Sequence, residues 1–292
     1  MLNQQILAEE IKTLDSLQGL VDTYKIVAAT IMRRIRNSVL QNRFFHTGLG
    51  GLYRDVERAY QKEIYKLARN KKSKMISAPA ALKKHNGKTA MVLLSANTGL
   101  YGGIIYKIFA FFLQEAKKHP EYDLVLVGKV GELFFKKANP KRSYIYFDFS
   151  DLGISVSAIR SITSQLFRYE RVIVFYGAFK NILIQRPSFF DISSSGANLP
   201  VMEVMESPAY LFEPSLQEVA DFFETEIFAS LLEQSFYESR LGKTASRFVS
   251  LDRASTNIEL AFKNTRFERD KLGHRLTNQK QLNSLSGVAL WG

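Results

Sequence analysis

The stretch TAMVLLSANTGLYGG, residues 89–103, joins an uninterrupted apolar run to a turn with three glycines. The run TAMVLLSA at 89–96 predicts a buried strand, because strands covered on both faces read as continuous hydrophobic runs. Glycines after such a strand are typical of a sharp turn into a helix, since residues without a Cβ adopt conformations that other residues disfavour. The stretch therefore predicts the first strand–helix unit of an α/β domain.

The chain beyond this unit repeats the alternation of strand and helix patterns. Four further segments have strand patterns: 123–128, 143–149, 171–179 and, as an edge strand containing a proline, 183–193. Three segments between strands have helix patterns: 103–118, the residues around Phe134 and Phe135, and 154–169. Strands that alternate with helices indicate βαβ units, so we expect an α/β domain with a mostly parallel sheet.

Long helices are predicted at both ends of the chain, with apolar residues in the steps of three and four that a coiled-coil seam requires. The first seam comprises Leu14, Leu17, Val21, Tyr24, Ala28, Ile31 and Ile35. The second, more polar, comprises Phe248, Leu251, Ser255, Ile258, Phe262, Thr265, Arg269, Leu272 and Leu276. The run HTGLGG at 46–51 is a candidate interruption of the first helix. Two such seams predict an antiparallel coiled coil.

These patterns divide the chain into five segments. We expect an N-terminal coiled-coil helix at 1–69, a linker at 70–87, the α/β domain at 88–195, a loop region at 196–213 and a C-terminal coiled-coil helix at 214–292.

Composition excludes several kinds of site. The chain has no cysteine, which excludes disulfides, thiolate metal sites and a cysteine nucleophile. Its 4 histidines share no helical or hairpin spacing, so no zinc site is expected. No apolar run is long enough for a membrane span, and the N-terminal MLNQQILAEE lacks the basic-then-apolar order of a signal peptide. We expect a chain in the cytosol or on its side of a membrane.

The formal net charge of +12 indicates a polyanionic partner: nucleic acid, an anionic membrane surface or an acidic protein surface. The cluster MRRIRN at 32–37 concentrates Arg33, Arg34 and Arg36 beside the first seam. It has little aromatic interleaving and no recognisable DNA-binding pattern. A solvated basic face and an acidic protein partner therefore both fit this cluster.

Neither glycine motif matches a nucleotide-binding template. Gly99, Gly102 and Gly103 do not have the spacing G-x-G-x-x-G, and no lysine follows Gly103 as a P-loop requires. The triplet GKT at 242–244 resembles the end of a P-loop, but Tyr237 stands where its first glycine is needed. We interpret Gly99, Gly102 and Gly103 as a structural turn, explained by a close helix–strand contact. We predict no catalytic residue in the chain.

Four segments match one family pattern. Near its N-terminus the family pattern has a basic residue, then Met-Val-Ala-Ala, then a basic cluster. The segment KIVAAT at 25–30, followed by MRR at 32–34, is similar to this order. The turn is similar to Ser-x-Asp-Arg/Lys-Gly-Leu-Cys-Gly-Gly-Leu through Ser95, Gly99, Leu100, Gly102 and Gly103. Near the C-terminus the family pattern is Ala-Arg-Met-x-Ala-Met-x-x-Ala-Thr-x-Asn, and six residues are similar to it: Arg247, Phe248, Leu251, Ala254, Ser255 and Asn257. The segment YLFEP at 210–214 is similar to the family's Tyr-x-x-Glu-Pro. Over essentially its whole length the chain resembles the gamma subunit of F-type ATP synthases, the rotating central stalk.

Several residues depart from that family pattern. Asn97 and Thr98 replace two charged residues, and Tyr101 replaces a cysteine. Near the C-terminus, residues 276–279 and Asn283 stand in place of the Ile-Thr-x-Glu and the further acidic residue of the terminal signature. The resemblance therefore identifies a divergent member, from either the housekeeping synthase or a paralogous, specialised rotary ATPase.

The resemblance implies terminal helices in a coiled coil, a Rossmann-like middle domain, and no cofactor or catalytic residue in this chain. Its implied partners are alpha and beta subunits (three each), epsilon and delta subunits and the membrane ring of c subunits, and no nucleic acid. Its implied place is the cytoplasmic side of a bacterial plasma membrane, where ion flow is coupled to ATP synthesis or hydrolysis. The candidate partner contacts are Lys25, Arg33, Arg34, Arg36, Arg247, Asn257 and Leu290.

Two other classes stay open at this point. A nucleotide-dependent enzyme would use the glycine turn, and nucleotide binding by the isolated chain would identify it. A coiled-coil scaffold or DNA-associated protein would use the basic surface, and salt-dependent DNA binding would support it.

Overall fold

The computed structural model describes residues 2–69, 86–138, 141–151, 156–193, 213 and 215–291. Residues 196–212 of the expected loop at 196–213 and nearly all of the expected linker at 70–87 lie outside these residues. In chain order the elements are α1 (Leu2–Arg69), β1 (Thr89–Leu94), α2 (Ile104–Lys118), β2 (Asp123–Val127), α3 (Lys129–Ala138), β3 (Ile145–Phe147), α4 (Val156–Leu166), β4 (Arg171–Phe179), β5 (Gln185–Ser193) and α5 (Leu216–Trp291). The chain divides into two compact units, one of Ile31–Ser246 and one of Met1–Thr30 with Arg247–Gly292.

The unit Ile31–Ser246 is built on a five-stranded sheet in the order β3-β2-β1-β4-β5. Strand β1 lies between β2 and β4 and is parallel to both, and β3 is parallel to β2. Only β5 is antiparallel among these strands, and it lies at the edge beside β4. The predictions of a mostly parallel sheet and of a proline-containing edge strand are confirmed.

Both faces of this sheet are covered, as the continuous apolar runs predict. Met91 and Leu93 of β1 face a core supplied by α2 and α3. Val92 and Leu94 face the opposite core, to which α4 and the first part of α5 contribute. The α5 residues of that core are Phe228, Leu232 and Phe236. The last helix is therefore part of the α/β domain as well as of the coiled coil.

Helix α5 approaches strand β4 so closely that the two backbones are in contact. A Cβ added at Gly242 would lie 2.2 Å from the carbonyl oxygen of Gly177 in β4. On the other side of β4, a Cβ added at Gly177 would lie 3.1 Å from Cδ1 of Ile108. The glycine of the GKT triplet is explained by this contact, because no other residue type leaves room for it.

A small apolar cluster joins α1 to α5 within the same unit. Ile35 and Val39 of α1 pack with Leu241 of α5, beside Phe179 at the end of β4. The glycine-containing run at 46–51 does not interrupt α1, so that expectation is wrong. A helix tolerates interior glycines at about 1 kcal/mol each relative to alanine, and the rest of α1 outweighs this cost.

The second unit consists of the start of α1 and the end of α5 as an antiparallel pair. Gln18 donates from Nε2 to Oγ of Ser255 at 2.7 Å, and Lys25 Nζ lies 2.6 Å from Oδ1 of Asp252. Residue numbers thus rise along α1 while those of the contacted α5 residues fall. The predicted antiparallel coiled coil is confirmed.

The seam of α5 is confirmed at every position, since all nine predicted residues are buried or half-buried. The seam of α1 is wrong at two of its seven positions, and the other five residues are buried or half-buried. Val21 and Ala28 are buried, but Leu17 and Tyr24 are 44% and 45% exposed. Their places are taken by the half-buried Gln18 and Lys25. These polar residues face α5 because their side-chain groups bond to Ser255 and Asp252.

We expect Gly242→Ala to destabilise the chain by about 2 kcal/mol or more, because overpacking against backbone atoms cannot be relieved by a side-chain rotation. Gly273→Ala, also in α5, is the control. The nearest atom to its added Cβ is a side-chain nitrogen of Gln4 at 3.9 Å. Its substitution should stabilise the helix by up to about 1 kcal/mol. Chemical denaturation followed by circular dichroism measures both, and equal stability of the two variants would contradict the close contact.

The coiled-coil contacts predict different costs for two leucines of α5. Leu251 is 7% exposed and Leu260 is 55% exposed. We expect Leu251→Ala to lower the free energy of unfolding by about 2–4 kcal/mol, and Leu260→Ala by less than about 1 kcal/mol. Thermal unfolding of both variants checks the assignment, and a larger loss for Leu260→Ala would refute it.

Candidate functional site

The turn at 95–103 leaves the carboxyl end of β1 and leads into α2. Strand β1 has parallel neighbours on both sides, β2 and β4, so the chain connections diverge at this end of the sheet. In open α/β sheets, ligands bind in the crevice at such a point. The position of the turn therefore makes it the first place to look for a site.

The backbone of the turn does not depend on all three glycines. Leu100 has φ 65° and Gly102 has φ 60°, so both are left-handed. A Cβ added at Gly99 or Gly103 would meet nothing within 4 Å. The expectation that a close helix–strand contact explains the three glycines is thus wrong for Gly99 and Gly103, whereas the φ of Gly102 favours glycine.

The close contacts at this edge involve other glycines, which the sequence analysis missed. Gly128 after β2 has φ 100°, and a Cβ there would lie 2.9 Å from backbone atoms of Ala96. A Cβ at Gly131 in α3 would lie 2.6 Å from Cβ of Ser95. These two glycines let the loop after β2 and the start of α3 pack directly on the end of β1.

Asp151 binds the backbone of the turn. Its Oδ2 accepts hydrogen bonds from the backbone N–H groups of Asn97 and Thr98, both at 2.8 Å, and from Oγ1 of Thr98 at 2.9 Å. A phosphate cradle needs free backbone N–H groups. Since these two donors are bound by the chain's own carboxylate, the geometry supports a structural turn at these two residues.

Asn97 extends this network to the neighbouring elements. Its Oδ1 accepts a hydrogen bond from the backbone N–H of Lys129 at 2.9 Å, at the start of α3. Its Nδ2 donates to Asp148, which follows β3. Asn97 and Thr98 are the residues that depart from the family pattern, and both are held by carboxylates that no sequence motif identified.

Lys243 of the GKT triplet reaches the same place from α5. Its Nζ donates to the carbonyl oxygen of Ser95 at 2.5 Å and lies 3.7 Å from Oδ1 of Asp151. The side chains of Lys243 and Asp151 are only 10% and 6% exposed, respectively. The ammonium group also lies 5.9 Å from the ring centre of Tyr101. Removing one partner of a buried ion pair costs about 3–5 kcal/mol, because the other charge is left uncompensated.

The arginine cluster has a different environment. Arg33, Arg34 and Arg36 are exposed on α1, on either side of the buried Ile35. Arg240 of α5 lies near Arg34; burial lowers the pKa of Arg240, and Arg34 lowers it further. The cluster therefore presents several cations to solvent and includes one residue, Arg240, that the sequence analysis missed.

The remaining candidate residues lie in the coiled-coil unit. Lys25 contacts Asp252 of the partner helix α5 in the coiled coil, and this hydrogen bond raises the pKa of Lys25. Arg247 is half-buried and Asn257 is exposed. Leu290 belongs to α5, but its side chain lies outside the described residues.

Within the described ranges, no group of three or more histidine, aspartate or glutamate residues has the geometry of a metal site. In those same ranges no helix is long and apolar enough to cross a membrane.

Comparison with known proteins gives one consistent family. A family model described as ATP synthase matches residues 3–272. The ATP synthase gamma chain of Pelotomaculum thermopropionicum is 25% identical over 264 residues, 86% of this chain and 86% of the relative. That of Geotalea daltonii is 26% identical over 251 residues, 80% of this chain and 79% of the relative.

Solved structures have the same fold. The rotor of the Euglena gracilis mitochondrial ATP synthase matches with a TM-score of 0.59 and 16% identity, covering 94% of this chain and 98% of the matched chain. The central stalk of the Tetrahymena thermophila mitochondrial enzyme gives 0.56 and 19%, covering 81% and 99%. Because the family model matches most of the sequence and the curated relatives are gamma chains of similar length, this chain belongs to the ATP synthase gamma-chain family.

Proposed function

We propose that this chain is the rotating central stalk of an F-type ATP synthase. In this role it couples ion flow through a membrane ring to ATP synthesis or hydrolysis at the beta subunits. The observation that carries the proposal is the antiparallel pair of α1 and α5, formed by a member of the gamma-chain family. The chain performs no chemistry itself, and the nucleotides are bound by its partners.

The coiled coil has two different outer faces. The α1 face exposes apolar residues, among them Leu17, Leu20 and Tyr24. The α5 face is mainly polar and charged, with residues such as Arg253, Glu259 and Lys263, and it also includes the exposed Leu260 and Phe267. An exposed apolar stripe of this kind supports burial against a partner.

The difference between these faces supports a mechanism in which three identical catalytic sites are made unequal. A shaft with unlike faces offers each of three surrounding beta subunits a different surface at any one moment. Rotation then changes those contacts in turn, and with them the nucleotide affinity of each site. Rotation and nucleotide affinity are thus linked by a coupling free energy, which arises because the contacts differ from one rotational position to the next.

The arginine cluster is proposed to contact acidic surfaces of the beta subunits. Arg33, Arg34 and Arg36 are exposed, and exposed ion pairs contribute only about 0–1 kcal/mol each. Weak pairs suit a surface that has to form and release its contacts at every step of a rotation.

The proposed place of the chain is peripheral, on the cytoplasmic side of a bacterial plasma membrane. The α/β domain would rest, with the epsilon subunit, on the ring of c subunits, and the delta subunit belongs to the same assembly. The gamma chains of Pelotomaculum thermopropionicum and Geotalea daltonii support the bacterial setting, whereas the rotor structure, which is mitochondrial, supports only a place in an ATP synthase complex.

Charge reversal tests the role of the arginine cluster. We expect Arg33→Glu with Arg34→Glu to lower ATP-driven ion pumping relative to ATP hydrolysis by about fivefold, because changes within a coupled network shift coupling by about 0.5–2 kcal/mol. Both side chains are exposed, so helix content and assembly of the complex should not change.

The control for this experiment is Arg160→Glu with Arg168→Glu, which makes the same change in net charge at exposed positions of the same unit. Its pumping should match the wild type. An unchanged pumping ratio in the Arg33 and Arg34 variant would contradict the assignment.

The non-catalytic role predicts that the purified chain does not bind nucleotides. Calorimetric titration with ATP or NAD, each with Mg²⁺, should give no measurable heat of binding at about 1 mM ligand, where a weak site would be detected. The N–H groups of Asn97 and Thr98 are bound by Asp151 and are not available to a phosphate. Saturable binding would favour a nucleotide-dependent enzyme.

A further inference from the structure

Gly242 and Lys243 of the GKT triplet, and Ser246 two positions after the triplet, make closely defined contacts with one end of the sheet. Gly242 touches the backbone of β4 at Gly177. Lys243 donates to the carbonyl oxygen of Ser95, and Ser246 donates from Oγ to the carbonyl oxygen of Tyr101 at 2.7 Å. These contacts lie within little more than one helical turn and reach β4, the end of β1 and the 95–103 turn.

Such contacts differ in kind from the apolar packing around them. Apolar contacts are non-directional, so a helix can shift along or about its axis and keep much of the burial. Hydrogen bonds weaken steeply when their distance or angle changes. A backbone contact at a glycine likewise fits one position of the helix. The segment 242–246 therefore fixes both the axial position and the rotation of the 216–246 part of α5 within the α/β domain.

Asp151 connects these contacts to the turn. Its Oδ2 holds Asn97 and Thr98, while its Oδ1 faces Lys243. A displacement of Lys243 along or about the α5 axis takes the ion-paired cation away from the buried carboxylate and leaves it only the electrostatic interaction with Arg240, three residues earlier in α5. The turn is then held less firmly, because a buried carboxylate whose counter-charge is weakened is disfavoured.

We propose that Lys243 and Asp151 form a buried latch that positions the 95–103 turn on α5 and carries torque between α5 and the α/β domain. This inference rests on the proposed function of the chain as a rotating stalk. Lys243 is a positioning residue in it, since it acts through the carboxylate and the turn and contacts no nucleotide.

Two variants separate the ion pair from the rest of the contact. Lys243→Met keeps an unbranched side chain of similar length without its charge. Asp151→Asn removes the negative charge but keeps an oxygen that can accept the hydrogen bonds of Asn97 and Thr98. Lys136→Met, an exposed lysine of α3 paired with Glu132, is the matched control.

Each variant is assembled into the complete ATP synthase in membrane vesicles, where ATP hydrolysis and ATP-driven ion pumping are measured together. We expect Lys243→Met and Asp151→Asn to keep near-normal hydrolysis and to lose about fivefold in ions pumped per ATP. Lys136→Met should behave as the wild type. Normal pumping in both latch variants would overturn the inference.

Hydrogen exchange on the purified full chain supplies a readout that needs no assembly. Amide exchange at Asn97 and Thr98 should become about tenfold faster in Lys243→Met, because local opening is governed by the contacts that order a segment. Unchanged exchange at both amides would also overturn the latch. If Lys243→Met does not assemble, this measurement and the pumping of Asp151→Asn decide the question.

Failure of the proposed function gives a different result. In that case the wild-type chain does not couple hydrolysis to pumping in the complex, whatever the state of the latch. Loss of coupling in the two latch variants alone, with a coupled wild type and a coupled Lys136→Met control, supports the latch.

Discussion

The close approach of α5 to β4 at Gly242 and Gly177 sets the arrangement of the α/β domain. With 2.2 Å between the position of an added Cβ and a carbonyl oxygen, the helix rests on the strand backbone itself. This approach brings Phe228, Leu232 and Phe236 into one core of the sheet, and Lys243 to the end of β1. A larger residue at position 242 would move all of these groups outward together.

The coiled-coil unit uses polar contacts where a typical seam would use apolar ones. Gln18 and Lys25 face α5 and bond to Ser255 and Asp252, while Leu17 and Tyr24 are left exposed. Polar pairs fix the register of two helices more strictly than interchangeable apolar contacts do. The exposed apolar residues then remain available for contacts with a partner, which the proposed role as a rotating stalk requires.

Sequence periodicity located the sheet, its helices and both terminal helices, because burial on one or both faces leaves a regular pattern. It failed where a polar residue occupies a buried position, as at Gln18 and Lys25, since their partners lie more than two hundred residues away in the chain. The same limit hid Asp151 and Lys243. Asp151 has no local motif, and Lys243 belongs to a triplet that resembles an unrelated motif, so only the folded chain brings the two residues together. The glycines of the turn form a recognisable cluster because they lie close together in the sequence. Gly128 and Gly131, which make the tight contacts, do not belong to such a cluster.

The place of α5 in two units has a consequence for how the chain folds. The core that includes Val92 and Leu94 is completed by Phe228, Leu232 and Phe236, and Ile35 of α1 packs on Leu241. During synthesis from the N-terminus, the strands are therefore made well before the helix that covers one of their faces. Contacts of such large sequence separation slow folding and leave apolar surface exposed for longer. The α/β domain cannot complete its core before residues 228–246 have been made, so truncation before this segment exposes the sheet, whereas truncation after it removes only the coiled-coil part of α5.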